Sequence, residues 1–190
     1  MIFKNTYWFW EAEIKPEVCD RWIEEYFSKD KALKASVGTG NGGMEVKNET
    51  RITDIVWVPP ATEIFDTIFG YIRSANQNAG WNFDIHGMED VQLGRYGKKG
   101  HYDWHVDAFP PEEIGNWQRK LSCSIQLSDE DSYKGGDLII RTSAKGEMAT
   151  MTRKKGSIVV FPAFIEHKVT PVTKGERYSA VAWMKGQAFK

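Results

Sequence analysis

The chain has 190 residues, 41% of them hydrophobic and 27% charged. These proportions are ordinary for a globular protein and exclude the disordered, collagen-like and coiled-coil classes. The 25 Lys and Arg against 26 Asp and Glu give a formal net charge of −1, without the basic excess typical of proteins that bind nucleic acids. We therefore expect no nucleic-acid partner.

The N-terminal segment and the cysteines predict a cytoplasmic protein with no membrane partner. The segment lacks the long apolar run of a secretory signal, and no apolar stretch approaches the ~20 residues of a membrane span. The two cysteines, Cys19 and Cys123, lie too far apart in sequence to suggest a metal knuckle or a dense disulfide framework.

The first 80 residues predict two helices with accessory strands. An aromatic run at residues 6–10 has the composition of a strand. Pro16 opens a segment whose apolar side chains have helical spacing, and a second such segment spans residues 64–75. Between the two helices, residues 51–58 resemble a strand ended by two prolines. We expect both helices to pack on one face of a sheet.

From about residue 81 the chain consists of short runs rich in valine, isoleucine and aromatic residues, separated by turn-forming residues. The predicted strands are Met88–Tyr96, His101–Val106, Lys120–Leu127, Gly136–Arg141, Ser157–Phe161, Glu166–Thr170 and Arg177–Met184. Seven short strands without intervening helices predict a mostly β sandwich or jelly roll. We expect residues 1–190 to form one domain.

The segment from residue 101 to residue 107 contains two His-x-Asp pairs, His101 with Asp103 and His105 with Asp107. Side chains two apart on a regular strand face the same side, so either pair has the spacing to bind one metal ion. The two histidines lie roughly 13 Å apart on such a strand, too far to share an ion. The pattern alone fits a metal site or a ladder of polar surface residues, and it does not choose between the pairs.

A second cluster downstream consists of His167 and, ten residues later, Arg177. The strand that begins at Arg177 is mostly apolar on both faces, which predicts burial on both sides. A buried guanidinium needs an anionic partner. That partner is either a protein carboxylate or the carboxylate of a bound small acid. Two histidines and one carboxylate on one face of an octahedron form the ligand set of non-haem Fe(II) oxygenases.

The order His105-x-Asp107, His167, Arg177 resembles the signature of the Fe(II)/2-oxoglutarate-dependent dioxygenases. The resemblance is to their prolyl 4-hydroxylase-like branch, which includes the bacterial PKHD-type hydroxylases, and it covers about half the chain, roughly Val91 to Lys185. The further matching blocks are Leu93–Gly97, Leu121–Leu127, Tyr133–Leu138, Gly156–Pro162 and His167–Arg177.

This resemblance implies a double-stranded β-helix, the cupin-like form of the jelly roll. Residues 81–190 are then its catalytic core and residues 1–80 a helical buttress with accessory strands. The resemblance favours His105 and Asp107 over the upstream pair and implies that both, with His167, are iron ligands. It also implies that Arg177 pairs with the distal carboxylate of 2-oxoglutarate.

Three further residues fall at family positions near the cosubstrate or the iron, namely Tyr96, Gln126 and Trp183. Tyr96 and Trp183 are equally explained as rings of the core. Gln126 stands where relatives often have tyrosine, and an inward-facing polar residue explains it equally well. Two segments predicted to be loops, Gly38–Gly43 and Ala108–Trp117, are candidate lids over the site.

The cofactor implied by the resemblance is Fe(II), with 2-oxoglutarate and O₂ as cosubstrates and ascorbate as a family expectation. The implied reaction is hydroxylation of a C–H bond, foremost of a prolyl residue in a peptide or protein. The alternatives are the same chemistry on a free amino acid or small metabolite, a non-oxygenase metal-binding cupin, and a non-catalytic jelly-roll binding protein. The sequence does not indicate an oligomeric state.

Overall fold

A computed structural model of the chain describes residues 4–27, 32–39, 43–109, 116–143 and 145–189. Within these ranges the chain forms two helices and seventeen strands. The helices are α1 (Pro16–Tyr26) and α2 (Glu63–Asn78). The strands are β1 (Trp8–Trp10), β2 (Leu33–Lys34), β3 (Val37–Thr39), β4 (Gly43–Glu45), β5 (Arg51–Ile52), β6 (Asp54–Val58), β7 (Gly87–Met88), β8 (Val91–Tyr96), β9 (His101–His105), β10 (Trp117–Gln126), β11 (Tyr133–Gly135), β12 (Leu138–Arg141), β13 (Met148–Thr150), β14 (Ile158–Pro162), β15 (His167–Val169), β16 (Val172–Gly175) and β17 (Arg177–Gln187).

Two antiparallel sheets form the body of the protein. The larger sheet has the order β1-β14-β10-β17-β8-β6-β2, with β7 also paired to β17, and the smaller sheet has the order β13-β12-β15-β9-β5. Side chains from both sheets, among them Phe161 of the larger and Ile140 of the smaller, pack into one apolar cluster between them. The mostly β jelly-roll fold predicted from the sequence is therefore confirmed.

The two helices cover the outer face of the larger sheet. Helix α2 buries Ile64, Ile68 and Ile72, whose spacing of four residues places them on one helix face. These side chains belong to the same apolar cluster as Leu121 of β10 and Ala180 of β17. The apolar outer face of the sheet is thus shielded from water, which accounts for the two amphipathic helical segments in the sequence. No helix in the described part of the chain is long and apolar enough to cross a membrane.

The inner face of the larger sheet is unusually polar. Along β10, Leu121, Cys123 and Ile125 lie in the core beneath the helices. The alternating residues Ser124 and Gln126 instead line cavities between the two sheets. Because side chains alternate along a strand, one sequence supplies both an apolar outer face and a polar inner wall.

The strand predicted at residues 51–58 is two strands in different sheets. β5 pairs with β9 in the smaller sheet, whereas β6 pairs with β8 in the larger sheet. The chain crosses between the sheets at Thr53, which is buried. This crossing places Arg51 beside Tyr102 of β9.

The two candidate lids were only partly loops. Residues 38, 39 and 43 belong to the paired strands β3 and β4, so the loop prediction is wrong there. Residues 40–42 lie outside the described ranges, as do residues 110–115 of the second segment. At the end of that segment, Trp117 already belongs to β10, which begins three residues before the predicted strand.

We expect Gly156→Ala to destabilise the protein. Gly156 has φ +81°, and an added Cβ would lie 1.9 Å from the carbonyl oxygen of Ile14. The turn would have to open, which we expect to lower the free energy of unfolding by about 2–4 kcal/mol. Gly70→Ala is the control, because a Cβ in this exposed part of α2 meets nothing within 4 Å. It should raise the free energy of unfolding by about 0.5–1 kcal/mol. Equal stabilities in denaturant titrations would contradict this account.

Candidate metal centre

A β-bulge in β9 decides which histidine enters the interior. His105 lies opposite His167 of β15, and Tyr102 lies opposite Val169, so three residue steps on β9 face two on β15. The regular alternation assumed for this strand therefore fails. Tyr102 and His105 both line the cavity between the sheets. The ring nitrogens of His101 instead lie near backbone carbonyl oxygens of Lys99 and Glu49.

Three side chains converge where β9 and β15 meet. His105 ends β9, Asp107 follows two residues later, and His167 begins β15. Each offers one ligand atom, and these atoms all lie within 4.8 Å of one another. Asp107 Oδ1 is 3.7 Å from His105 Nε2, and Asp107 Oδ2 is 3.4 Å from His167 Nε2. The pair His101 and Asp103, which shares the His-x-Asp pattern, is not part of this group.

Backbone carbonyl groups orient both imidazoles. His105 Nδ1 donates to the carbonyl oxygen of Asp103 at 2.7 Å, and His167 Nδ1 donates to that of Ile165 at 3.0 Å. A carbonyl oxygen only accepts, so each Nδ1 carries a proton. Each Nε2 is directed towards Asp107 and is the ring nitrogen that can bind a metal ion. This second layer of hydrogen bonds is characteristic of histidines that bind metals.

Charges around the site favour the protonation states that bind a cation. Burial, with the neighbouring His167, lowers the pKa of His105 to about 3, so the imidazole is neutral near pH 7. Burial opposes ionisation of Asp107, but the two imidazoles, Arg119 and Ser122 outweigh it and hold the pKa of this carboxyl below its usual value. The hydroxyl of Ser122 donates to Asp107 Oδ2 at 2.7 Å.

The donor set fits a first-row divalent metal such as Fe(II). Two neutral imidazoles and one carboxylate on one side of an ion form the facial triad that leaves the other positions open. Metal–ligand bonds of about 2.1 Å place neighbouring ligand atoms about 3 Å apart. The observed 3.4 and 3.7 Å separations therefore need only small side-chain adjustments. The triad faces a cavity of about 380 Å³ between the two sheets.

Arg177 lies in the same cavity, and no carboxylate of the described residues neutralises it. The residue is 3% exposed, and its Nε donates to Gln126 Oε1 at 3.0 Å. Its Nη1 is buried without a hydrogen-bond partner. No carboxylate among the described residues lies within 4.0 Å of the guanidinium. Of the two partners that the sequence left open for Arg177, a protein carboxylate is therefore absent from the described part of the chain.

Gln126 holds Arg177 in place. The Gln126 amide nitrogen donates to the carbonyl oxygen of Ser128 at 3.0 Å and to the Tyr133 hydroxyl at 3.1 Å. These two bonds turn its amide oxygen towards the guanidinium. Gln126 is thus an inward-facing polar residue that contacts Arg177 directly. Tyr133 was not singled out as a site residue, although it lies in one of the sequence blocks described above.

Tyr96 and Trp183 also lie at the cavity wall. The Arg177 guanidinium carbon is 5.4 Å from the centre of the Tyr96 ring. The Trp183 ring lies 3.9 Å from the guanidinium carbon of Arg119, which is neutralised by hydrogen bonds to both carboxylate oxygens of Glu89 at 3.0 and 2.6 Å. Both rings are mostly buried and border the open space. Tyr96 and Trp183 therefore both pack in the core and line the cavity, so the two interpretations offered by the sequence do not exclude each other.

Several cavity residues were missed by reasoning from the sequence. They are Arg51, Gln92, Arg119 and Ser122. The alternation of serine and glutamine along β10 was a signal for Ser122, because it marks a polar inner face. The Tyr102 ring stacks on the His105 ring with centroids 3.4 Å apart. Burial raises the pKa of Tyr102 to about 12, so its phenol is neutral.

Residues 91–185 match the family model of the 2OG-Fe(II) oxygenase superfamily. The chain is 42% identical over 84 residues to a PKHD-type hydroxylase of a Synechococcus species, covering 44% of this chain and 36% of that protein. It is 36% identical over 96 residues to a PKHD-type hydroxylase of Alteromonas mediterranea, covering 49% of this chain and 42% of that protein. The matches thus span less than half the length of these curated relatives.

Solved structures resemble nearly the whole chain. A prolyl-4-hydroxylase of Pseudomonas putida superposes with a TM-score of 0.71 at 18% identity, covering 97% of this chain and 95% of that one. A viral collagen prolyl hydroxylase from Paramecium bursaria Chlorella virus-1, solved as a 2OG complex, superposes with a TM-score of 0.71 at 20% identity, covering 96% and 97%. At these identities the likeness shows the fold, a double-stranded β-helix.

We expect His105→Ala and His167→Ala each to remove saturable Fe(II) binding, because each deletes one of three converging ligand atoms. Anaerobic calorimetry measures this directly. His101→Ala is the matched control and should keep the wild-type affinity, since its ring lies outside the group. Loss of binding in His101→Ala, with binding retained in His105→Ala, would identify the upstream pair as the ligands.

Ser122→Ala should weaken Fe(II) binding by about tenfold, because Asp107 loses the hydrogen bond that orients it. Ser124→Ala on the same strand is the control and should bind Fe(II) as the wild type does. The same calorimetric titration checks both variants. An unchanged affinity in Ser122→Ala would show that this hydroxyl does not position the carboxylate.

Proposed function

The chain belongs to the 2OG-Fe(II) oxygenase superfamily, and from this premise we propose that it is an Fe(II)- and 2-oxoglutarate-dependent dioxygenase. The proposed reaction is hydroxylation of a C–H bond, most specifically of a prolyl residue in a peptide or protein. One observation carries the proposal. Three converging ligand atoms and a buried arginine with no counter-charge among the described residues line the same cavity.

Each residue of the site has a distinct proposed task. His105, Asp107 and His167 hold the metal, and the carbonyl groups behind the imidazoles keep the Nε2 lone pairs directed at it. Arg177 binds the distal carboxylate of 2-oxoglutarate through its free Nη1. Gln126 keeps that guanidinium in position by accepting from Nε.

Iron and 2-oxoglutarate together supply, when bound, the insertion of one oxygen atom of O₂ into a C–H bond, coupled to conversion of the cosubstrate to succinate and CO₂. The chain itself binds and orients iron and 2-oxoglutarate, and it excludes water from the cavity. The mostly buried rings of Tyr96 and Trp183 provide the apolar part of the cavity wall. Binding of 2-oxoglutarate would also pay the electrostatic cost of burying Arg177.

The relatives support a prolyl substrate. The curated matches are named PKHD-type hydroxylases, and the similar structures include prolyl hydroxylases. One of them, from Trichoplax adhaerens, is a complex with a peptide fragment of hypoxia inducible factor, at 14% identity and a TM-score of 0.70. These relatives favour a peptide or protein as the partner of the present chain.

The rival functions explain less of the site. A metal-binding cupin with isomerase activity uses a similar ligand set but gives no reason for a buried Arg177. A non-catalytic binding protein leaves both the ligand cluster and the guanidinium without a task. A reduced, cytoplasmic setting and stimulation by ascorbate belong to the proposal, and Cys19 and Cys123, both free thiols, agree with that setting.

We expect the anaerobic protein to develop a weak visible absorption band when Fe(II) and 2-oxoglutarate are both present. The band arises only when the cosubstrate binds the iron itself. Under air the same mixture should release succinate, and release should increase with a prolyl peptide that is a substrate. Fe(II) binding without a band and without succinate would contradict the proposed function.

Arg177→Lys should raise the apparent KM for 2-oxoglutarate by at least about tenfold, because the ammonium group keeps the charge but loses the planar pair of donors. Arg141→Lys is the control. Arg141, on β12, lies outside the cavity and forms an ion pair with Glu166. The Arg141→Lys variant should keep the wild-type KM. Succinate release at varied 2-oxoglutarate measures both, and an unchanged KM in Arg177→Lys would remove the assignment.

A further inference from the structure

A second buried guanidinium, that of Arg51, lies in the cavity and has no task in the proposed reaction. Arg51 is 8% exposed. Its Nη2 donates to Gln92 Oε1 at 2.6 Å, and its guanidinium carbon lies 4.5 Å from the centre of the Tyr102 ring. Its Nε is buried without a hydrogen-bond partner.

Arg51 has no carboxylate within 4.0 Å among the described residues. Arg119 in the same cavity wall shows the contrasting case, since both oxygens of Glu89 neutralise it. Burial of a guanidinium without a counter-charge is unfavourable. Stacking on a tyrosine ring offsets only a small part of that cost. The contacts of Arg51 within the described chain therefore leave its charge largely uncompensated.

Only two arginines in the described chain are more than nine-tenths buried, Arg51 and Arg177, and both line this cavity. Each has a glutamine amide oxygen as its side-chain acceptor and each keeps one buried N–H group free. The two residues lie on different sheets, Arg51 on β5 and Arg177 on β17. The cavity therefore offers two separate guanidinium groups, of which 2-oxoglutarate at Arg177 uses one.

The position of Arg51 is adjacent to the candidate metal ligands. Its guanidinium contacts the Tyr102 ring, and that ring stacks on His105. Lys47 lines the same cavity but lies 3.4 Å from Glu45, so it is not counted as a free charge. Asp107, a candidate metal ligand, is the only acidic residue among the lining residues described. The electrostatic potential at this wall thus favours an anion.

We propose that Arg51 binds a carboxylate of the primary substrate, so that the substrate is an acid. This inference rests on the proposed function and narrows its substrate class. The carboxylate belongs to a free amino acid or to a peptide, as an acidic side chain or a C-terminus. A wholly neutral peptide segment leaves the Arg51 charge unpaired and is disfavoured.

Paired acid and amide probes test the proposal by equilibrium binding. The protein is loaded anaerobically with Fe(II) and 2-oxoglutarate, and dissociation constants are measured by equilibrium dialysis. The pairs are L-proline with L-prolinamide, a prolyl peptide with a free or an amidated C-terminus, and a prolyl peptide with an internal glutamate or glutamine. At least one acid should bind tenfold or more tightly than its amide, and the pair that shows this identifies the source of the carboxylate.

Arg51→Gln should reduce that acid-to-amide ratio to near one, and Arg51→Lys should reduce it partially, because the charge remains without the planar donors. Arg73→Gln, an exposed arginine of α2, is the control and should keep the wild-type ratio. Thermal unfolding verifies that each variant is folded. If Arg51→Gln does not fold, the partial reduction of the ratio in folded Arg51→Lys is the test, and an unchanged ratio in that variant overturns the proposal.

Three outcomes overturn the proposal. The first is that no acid binds more tightly than its amide to the wild-type protein, which includes the case in which none of the acids binds. The second is a ratio that persists in Arg51→Gln. The third is equal weakening of acid and amide in that variant, which would assign Arg51 to a neutral carbonyl group. Failure of the proposed function is recognised separately, because the iron and 2-oxoglutarate absorption band is then absent from the wild-type protein.

Discussion

The antiparallel pairing of β9 with β15 is the constraint on which the candidate site depends. It places His105 opposite His167, and the bulge between Tyr102 and His105 turns the His105 imidazole inward. Two histidines 62 positions apart in the chain are thereby held by backbone hydrogen bonds rather than by flexible side-chain contacts. Asp107 lies two residues after the end of β9. There the hydroxyl of Ser122, from the opposite sheet, donates a hydrogen bond to its carboxylate. The two histidines are therefore carried on paired strands, which position metal ligands more precisely than loops do.

The polar inner face of the larger sheet costs stability and makes the cavity chemically useful. Ser122, Ser124 and Gln126 occupy positions that apolar residues would fill in a simple sandwich. Two uncompensated guanidinium groups add to this cost. Functional sites commonly have a lower stability than the fold around them could reach. Here the helix-covered outer face supplies the compensation, because Leu121, Ile125 and the isoleucines of α2 are fully buried there.

Three arginines show how the same residue type acquires different environments in one cavity. Arg119 forms an ion pair with Glu89, so its charge is neutralised within the protein. Within the described part of the chain, Arg51 and Arg177 have only glutamine oxygens as side-chain acceptors, which satisfy N–H groups but carry no charge. A glutamine partner holds a guanidinium in a defined orientation and leaves its charge available to a ligand. This distinction separates arginines that stabilise the fold from those proposed to bind substrates.

Local pattern determined much of this protein. Alternation along β17 and the two amphipathic helical segments were readable from the sequence, since each depends on neighbours within a few residues. The order of His105, Asp107, His167 and Arg177 was readable as a resemblance to a known family, because these residues lie far apart in the chain. The choice between His101 and His105 was not readable from strand spacing, because it depends on a bulge that only the pairing with β15 defines. Likewise, only the tertiary structure divided residues 51–58 between two sheets and thereby brought Arg51 beside Tyr102. Whether a buried arginine has a counter-charge depends on which distant side chains reach it, and that is decided by packing across the chain.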